Sequence, residues 1–279
     1  MLTMENLKAA LLSLAILIVL LGAWEWSIEG AIVPTGDQEL SEYEQLTGGS
    51  GGGSRIPAPS AVISHAITEL SDPFYVRGSN DMGIGIQLAH SVGRVFAGYS
   101  MALLVAVPLG FVIGMSPLMY KALNPYIQVL RPISPLAWMP LALFIIRDSG
   151  ASSIFVIFIC SIWPILVNTA FGVSAVSKDL RNVARTLELS SLKTAFAVIL
   201  PAAAPTILTG MRIAIGISWL VIVAAEMLVG GTGIGYYVWN EWNNLDLTSV
   251  IFSILMIGVI GMFLDSLLAA ATRMVQYDH

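Results

Sequence analysis

Six apolar runs dominate this 279-residue chain, at 7–24, 88–115, 123–146, 152–173, 207–228 and 248–272. Crossing a hydrocarbon core of roughly 30 Å takes about 20 residues of helix, and each run comes near or exceeds that length. Inside a bilayer every backbone amide must find its partner within the protein, and these runs are too long for barrel strands, so each is expected to be a helix. An all-α integral membrane protein with six transmembrane helices follows.

Composition agrees. Hydrophobic residues make up 56% of the chain and charged residues only 11%, against roughly 25% charged in an average soluble domain. The first run resembles a secretory leader in having Lys8 before an apolar stretch, but Trp24, Glu25 and Trp26 follow it where a leader would carry small residues. A retained helix with an interfacial tryptophan anchor is expected. The single Cys160 lies in an apolar run and permits no intrachain disulfide, and His65, His90 and His279 are scattered. Neither a metal cluster nor a nucleophile constellation is visible, so no cofactor is expected in this chain and it does not read as an enzyme. Basic residues interleaved with aromatics, as nucleic acid would require, are also missing from the sequence.

Loop charge sets the expected orientation. Residues 25–81 carry nine carboxylates with only Arg55 and Arg77, whereas residues 177–193 carry Lys178, Arg181, Arg185 and Lys193. Lys and Arg concentrate on the cytoplasmic side, so the second segment and both termini are expected there. The chain then divides into a first transmembrane helix (1–26), an external acidic loop (27–86) and a five-span core (87–279). Within the external loop the Gly/Ser tract at 48–54 has the composition of flexible coil, natural or engineered. A short surface helix over 61–70 follows, with Ser60 as its expected N-cap.

The stretch 177–201 is a hydrophilic, helix-forming interruption between apolar runs. Ser177 is its expected N-cap, and Asp179 sits in the first turn, where the helix dipole favours an anion. Leu180, Val183, Ala184 and Leu187 recur at helical spacing, with Arg181 and Arg185 on another face. A second helix is expected after Ser190 or Ser191, running to Leu200, where Pro201 and Pro205 interrupt it. The product is a helix-turn-helix facing the cytoplasm.

Asn182-Val183-Ala184, then Glu188, then Val198-Ile199-Leu200-Pro201, is similar in spacing to the EAA loop of permease subunits of bacterial ABC importers. Ala184, Leu200 and Pro201 match that pattern outright. Glu188 stands where the family has Gly, the residue that best tolerates a left-handed turn. The resemblance extends over about residues 84–272, through Gln128-Val-Leu-Arg-Pro-Ile-Ser-Pro-Leu-Ala-Trp-Met-Pro140, Met211-Arg-Ile-Ala-Ile-Gly-Ile-Ser-Trp219, Ala224-Ala-Glu-Met-Leu228 and Gly230-Gly-Thr-Gly-Ile-Gly235. These motifs resemble the nitrate, sulfonate and taurine branch. Ser71-Asp-Pro-Phe-Tyr75 and Asn80-Asp-Met-Gly-Ile-Gly85 resemble its cyanobacterial nitrate and bicarbonate members.

The resemblance implies a type I ABC importer permease fold in the cytoplasmic (inner) membrane, working by alternating access. It implies a second copy of the permease, two separate ATPase subunits holding ATP and Mg, and an external substrate-binding protein. The sequence itself has no GxxxxGK[ST] phosphate loop. Contacts to the ATPase are expected from Arg181, Ala184, Arg185, Leu187, Glu188 and Leu189. A helix with an apolar ridge and flanking charges suits mechanical contact and register.

Charges within the spans are the other informative class, because each costs several kcal/mol unless it faces a cavity or a partner. Arg94, Arg131, Arg212 and Glu226 are of this kind, and with Ser134, Trp138 and Trp219 they form the candidate translocation pathway for a small anion. Arg131 and Arg212 could instead snorkel or pair with Glu226 or Asp265. Pro132, Pro135 and Pro140 punctuate the third span and are expected to break it. The external mouth is expected at 229–247, with Tyr236, Tyr237, Trp239 and Trp242 as its contact surface. A secondary transporter or channel is the alternative reading; it would carry internal repeats, and the two halves of the sequence share none.

Overall fold

The computed structural model describes residues 4–29, 56–78 and 81–275. The acidic segment with its Gly/Ser tract, Asn80 and His279 lie outside the described residues. Among those described, every regular element is helical apart from one isolated antiparallel bridge between Val76 and Met82. The helices are α1 (Met4–Glu29), α2 (Pro59–Ser71), α3 (Ile84–Met115), α4 (Pro117–Leu130), α5 (Met139–Ile146), α6 (Ser149–Ala175), α7 (Lys178–Thr186), α8 (Ser191–Thr194), α9 (Leu200–Val229), α10 (Ile234–Asn243) and α11 (Leu247–Val275). Five helical segments are long and apolar enough to span a membrane, and a bent pair brings the number to six if counted as one span.

The chain forms two compact units, residues 1–75 with 238–255 and residues 76–237 with 256–279. In the second unit α6 is the central element, packed between α3 and α9. Lipid tails are as apolar as leucine, so helices in a bilayer associate through close packing and interhelical hydrogen bonds. Both devices are present. A Cβ on Gly110 would lie 2.6 Å from Thr169 Cβ, and one on Gly210 would lie 2.5 Å from Asn168 Cβ, so only glycine lets α3 and α9 approach α6 this closely. Buried Ser161 and Ser218 join α6 to α9 through a 2.6 Å hydroxyl–hydroxyl bond. The Trp219 indole N–H donates to Ile257 O at 2.9 Å, tying α9 to α11.

The run 123–146, expected as one span, is two helices meeting at 84°. Ser116 caps α4 by accepting from Met119 N, so this helix opens at Pro117, ahead of the apolar run. It ends at Leu130, because Pro132 and Pro135 have no N–H to continue the ladder. A 3-10 turn, Pro135–Trp138, then leads into α5.

Pro201 and Pro205 do not interrupt the helix after the hydrophilic loop, contrary to the sequence expectation. A π turn at Ala195–Ile199 closes with Leu200 N donating to Ala195 O, and Pro201 follows directly on this widened turn, where the regular i to i−4 ladder is already shifted. Residues Ser191–Val229 consequently run as one long helical segment.

In the first unit, α2 starts at Pro59, and Ser60 is not its cap. The Glu25 carboxylate of α1 takes that role, accepting from Ser60 N at 3.2 Å and Ser60 Oγ at 2.8 Å. A carboxylate is well placed at a helix N-terminus. Asp246 caps α11, accepting from Thr248 N, Ser249 N and Ser249 Oγ, and Ser249 Oγ also lies 3.1 Å from His65 Nε2 on α2.

Candidate functional site

The hydrophilic loop folds as the helix-turn-helix its pattern suggests. Ser177 accepts from Leu180 N to open α7, and Ser190 accepts from Lys193 N to open α8. The turn between them is a Schellman closure: Leu189 N donates to Ala184 O at 3.1 Å and Glu188 N to Arg185 O at 3.0 Å. That closure places Glu188 in the left-handed region, φ 49°, so the turn keeps its geometry without a glycine at the cost of local backbone strain.

The helix has two faces that the sequence pattern merged. Leu180, Val183 and Leu187 are exposed, Leu187 to 64%, while Ala184 is 1% exposed and turned toward the bundle. Ala184 is therefore a packing residue, since a methyl sealed against its own chain has no surface for a second protein. Arg181 is also engaged internally: its NH2 donates to Val173 O at 2.7 Å, capping the carbonyl end of α6. Arg185, Leu187 and Glu188 are exposed and Leu189 is half-buried. Beside the loop, Val173, Val176, Ile199, Ala203 and Ile207 form a buried apolar cluster that joins the end of α6 to the π turn and the start of α9.

At the opposite end of these helices sits a buried polar knot. Arg94 NH1 donates to Glu226 Oε1 and to Thr232 O, both at 2.6 Å. Glu226 also accepts from Ser91 Oγ and from Gly235 N. Gln87 Oε1 accepts from Gly233 N and Ser91 Oγ from Ile234 N, so α3 holds residues 232–234 of the turn while Glu226 of α9 holds Gly235. Gly230 and Gly231 adopt φ 73° and 95°, and a Cβ on Gly233 would overlap the Glu226 carboxylate. The glycine-rich motif wraps this carboxylate. Tyr237 is buried, whereas Trp239 and Trp242 are exposed, so the expected aromatic surface at 229–247 is only partly presented.

The remaining sequence candidates fall in two places. Arg212 forms a two-pronged pair with Asp265 at 2.6 and 2.7 Å, on an exposed part of the helical surface, and Trp219 nearby is buried. Arg131, Ser134 and Trp138 cluster at the break between α4 and α5, Arg131 and Ser134 exposed and Trp138 half-buried with its indole N–H unpartnered.

One feature escaped the sequence reading. A cavity of about 820 Å³ opens between α4 and the carbonyl end of α6, lined by Lys121, Asn124, Gln128 and Arg131 on one side and by apolar residues such as Leu166 and Phe171 on the other. The signal was present in the spacing i, i+3, i+7, i+10, one helical face, but it lay across the expected start of the third span.

The sequence matches the family model of the binding-protein-dependent transport system inner membrane component over residues 106–276. The chain belongs to this permease family. Among its relatives, the nitrate import permease protein NrtB of Synechocystis is 46% identical over 226 residues, 81% of this chain and 82% of that one. The bicarbonate transport system permease protein CmpB of the same organism is 41% identical, over 81% and 82%. The fold matches the inward-facing MetNI methionine ABC transporter with TM-score 0.60 at 14% identity, covering 68% of this permease and 94% of that chain. An amino acid ABC transporter matches with TM-score 0.58 at 15% identity, over 77% and 97%. The protein is a multi-pass inner-membrane permease subunit of an ABC importer, with the type I permease fold.

Proposed function

We propose that this permease carries a small inorganic monoanion, nitrate or bicarbonate, across the inner membrane by alternating access. A second copy completes the pathway, two ATPase subunits bind ATP and Mg, and an external binding protein delivers the anion. The observation that carries the coupling part of this reading is the two-faced α7: Ala184 is sealed to the bundle while Leu180, Val183 and Leu187 stand exposed as a ridge. An apolar ridge flanked by Arg185 and Glu188 suits a groove on an ATPase, and Arg181 holds its base rigid through Val173 O. The anion class follows the relatives named for nitrate and bicarbonate.

In this reading the helix-turn-helix and both termini are cytoplasmic, and residues 87–279 are the permease core. Arg131, Ser134 and Trp138, at the bend of the broken span, line the route. The Arg94–Glu226 and Arg212–Asp265 pairs and Trp219 brace the helices that frame it. The test is reconstitution of the chain with its neighbouring ATPase and binding-protein subunits in liposomes, followed by uptake of labelled nitrate and bicarbonate. ATP-dependent uptake of one of them that requires the binding protein is the expected result. Uptake without ATP, or ATP turnover indifferent to both anions, would refute it.

A further inference from the structure

The bundle treats its cations unequally. Arg94 and Arg212 each have a carboxylate at 2.6 Å. Lys121 and Arg131 make no ion pair among the described residues, and both line the cavity between α4 and α6, whose wall contains no carboxylate. With Asn124 and Gln128 they form a polar stripe along one face of α4, opposite Leu166, Val167, Ala170 and Phe171. Both side chains are exposed, so their charge is open to an anion that enters the cavity.

We propose that this cavity is a binding site for a small oxyanion, with Lys121 and Arg131 as its cationic ligands and the Asn124 and Gln128 amides as neutral donors. Arg131 offers a planar fork that matches a planar oxyanion, and Lys121 a compact point charge. The volume admits the ion with some of its water. The apolar far wall offers no hydrogen-bond partner, which penalises ions that hold their hydration tightly. Both nitrate and bicarbonate are planar, and nitrate, the more weakly hydrated of the two, fits such a site better. Ser174 also lines the cavity, three residues before the Ser177 cap of α7, so an occupied site lies against the element that moves with the ATPase. The inference rests on the anion-transport reading and adds a place where the anion pauses on the coupling side of the bundle.

The test uses the permease–ATPase complex in phosphatidylcholine nanodiscs without the binding protein. Thermal unfolding is followed against nitrate at constant ionic strength, with gluconate as the replacement ion. Saturable stabilisation is expected, with the half-saturating concentration raised about tenfold or more in Lys121→Gln and in Arg131→Gln, the loss of one charged hydrogen bond each. Arg131→Lys is expected to recover part of the loss, and Arg147→Gln at the far end of the bundle to leave it unchanged. Loss of the effect in Arg147→Gln as well, or its survival in the Lys121→Gln/Arg131→Gln double variant, would overturn the site. So would stabilisation by phosphatidylglycerol that nitrate does not compete away, because the occupant would then be a lipid phosphate. Uptake separates the two readings. A wild-type transporter that imports nitrate but binds none in this cavity leaves the function standing without the site; one that binds nitrate here but imports neither anion leaves the site without the function.

Discussion

Removing Arg94 should leave Glu226 as a buried carboxylate without its counter-charge, and the size of the effect follows from the geometry. The Glu226 side chain is 1% exposed and that of Arg94 16%, with 2.6 Å between them. Breaking such a pair from one side costs about 3–5 kcal/mol, because the orphaned charge keeps its desolvation penalty. Ser91 Oγ and Gly235 N still serve Glu226, but Thr232 O also loses its donor, which places Arg94→Ala toward the upper end. Glu226→Gln preserves shape and leaves a partly hydrated guanidinium, so about 1–3 kcal/mol is expected. The double variant Arg94→Ala/Glu226→Ala removes both charges together and should be more stable than Arg94→Ala alone. Thermal unfolding in detergent reads this cycle: at about 2–4 °C per kcal/mol, Arg94→Ala falls by on the order of 10 °C and the double variant recovers part of that. Strict additivity, or a shift in Arg94→Ala of only a degree or two, would show that the knot does not brace the 232–235 turn.

Other perturbations separate the remaining elements. Glu188→Gly should relieve a left-handed strain of about 1–2 kcal/mol against an added chain-entropy cost of about 0.5–1 kcal/mol, for a net gain near 0.5–1 kcal/mol readable as a higher unfolding temperature. Leu187→Asp on the exposed ridge should abolish co-purification of the ATPase while leaving the permease's own unfolding temperature within a degree or two; Ala184→Leu should instead destabilise the permease itself by about 1–3 kcal/mol through overpacking. Gly110→Val, which drives a side chain into Thr169 on α6, should cost at least as much and lower the yield of folded protein. The Asp246 carboxyl is pushed up by burial, but the Ser249 hydroxyl and the Ser249 and Thr248 N–H groups outweigh this and hold it below the ordinary carboxylate range. Its folded value being depressed, its stabilisation is complete above the unfolded value of about 3.9 and disappears as pH falls through the folded value. Asp246→Asn should therefore lower the unfolding temperature at pH 7 and lose that effect in strong acid. Glu241 has the opposite sign, raised by burial first and by neighbouring Asp246 and Glu69, so Glu241→Gln should stabilise at pH 7 and make little difference below pH 4.

What could be read from the sequence was what the solvent dictates. A bilayer demands about 20 apolar residues per crossing, so the spans announce themselves, and the hydrophilic 177–201 loop announces itself by contrast, down to its serine caps. Pairings set by tertiary geometry left no such trace. Glu226 lies 132 positions from Arg94, and no local pattern distinguishes a pair that neutralises itself from two charges facing an open path. The same limit explains Ala184: Val183, Ala184 and Leu187 satisfy one helical periodicity, but only tertiary packing decides that Ala184 turns inward while Leu187 turns out. The polar stripe on α4 failed for a different reason. Its spacing was legible, but a search for apolar runs discards the residues between them, and α4 begins at Ser116-Pro117, inside what that search treats as a connection. In a membrane protein the interval between two spans is where a cap and a proline can start a helix early, and polar residues on such a helix meet a cavity where a loop would have left them in water.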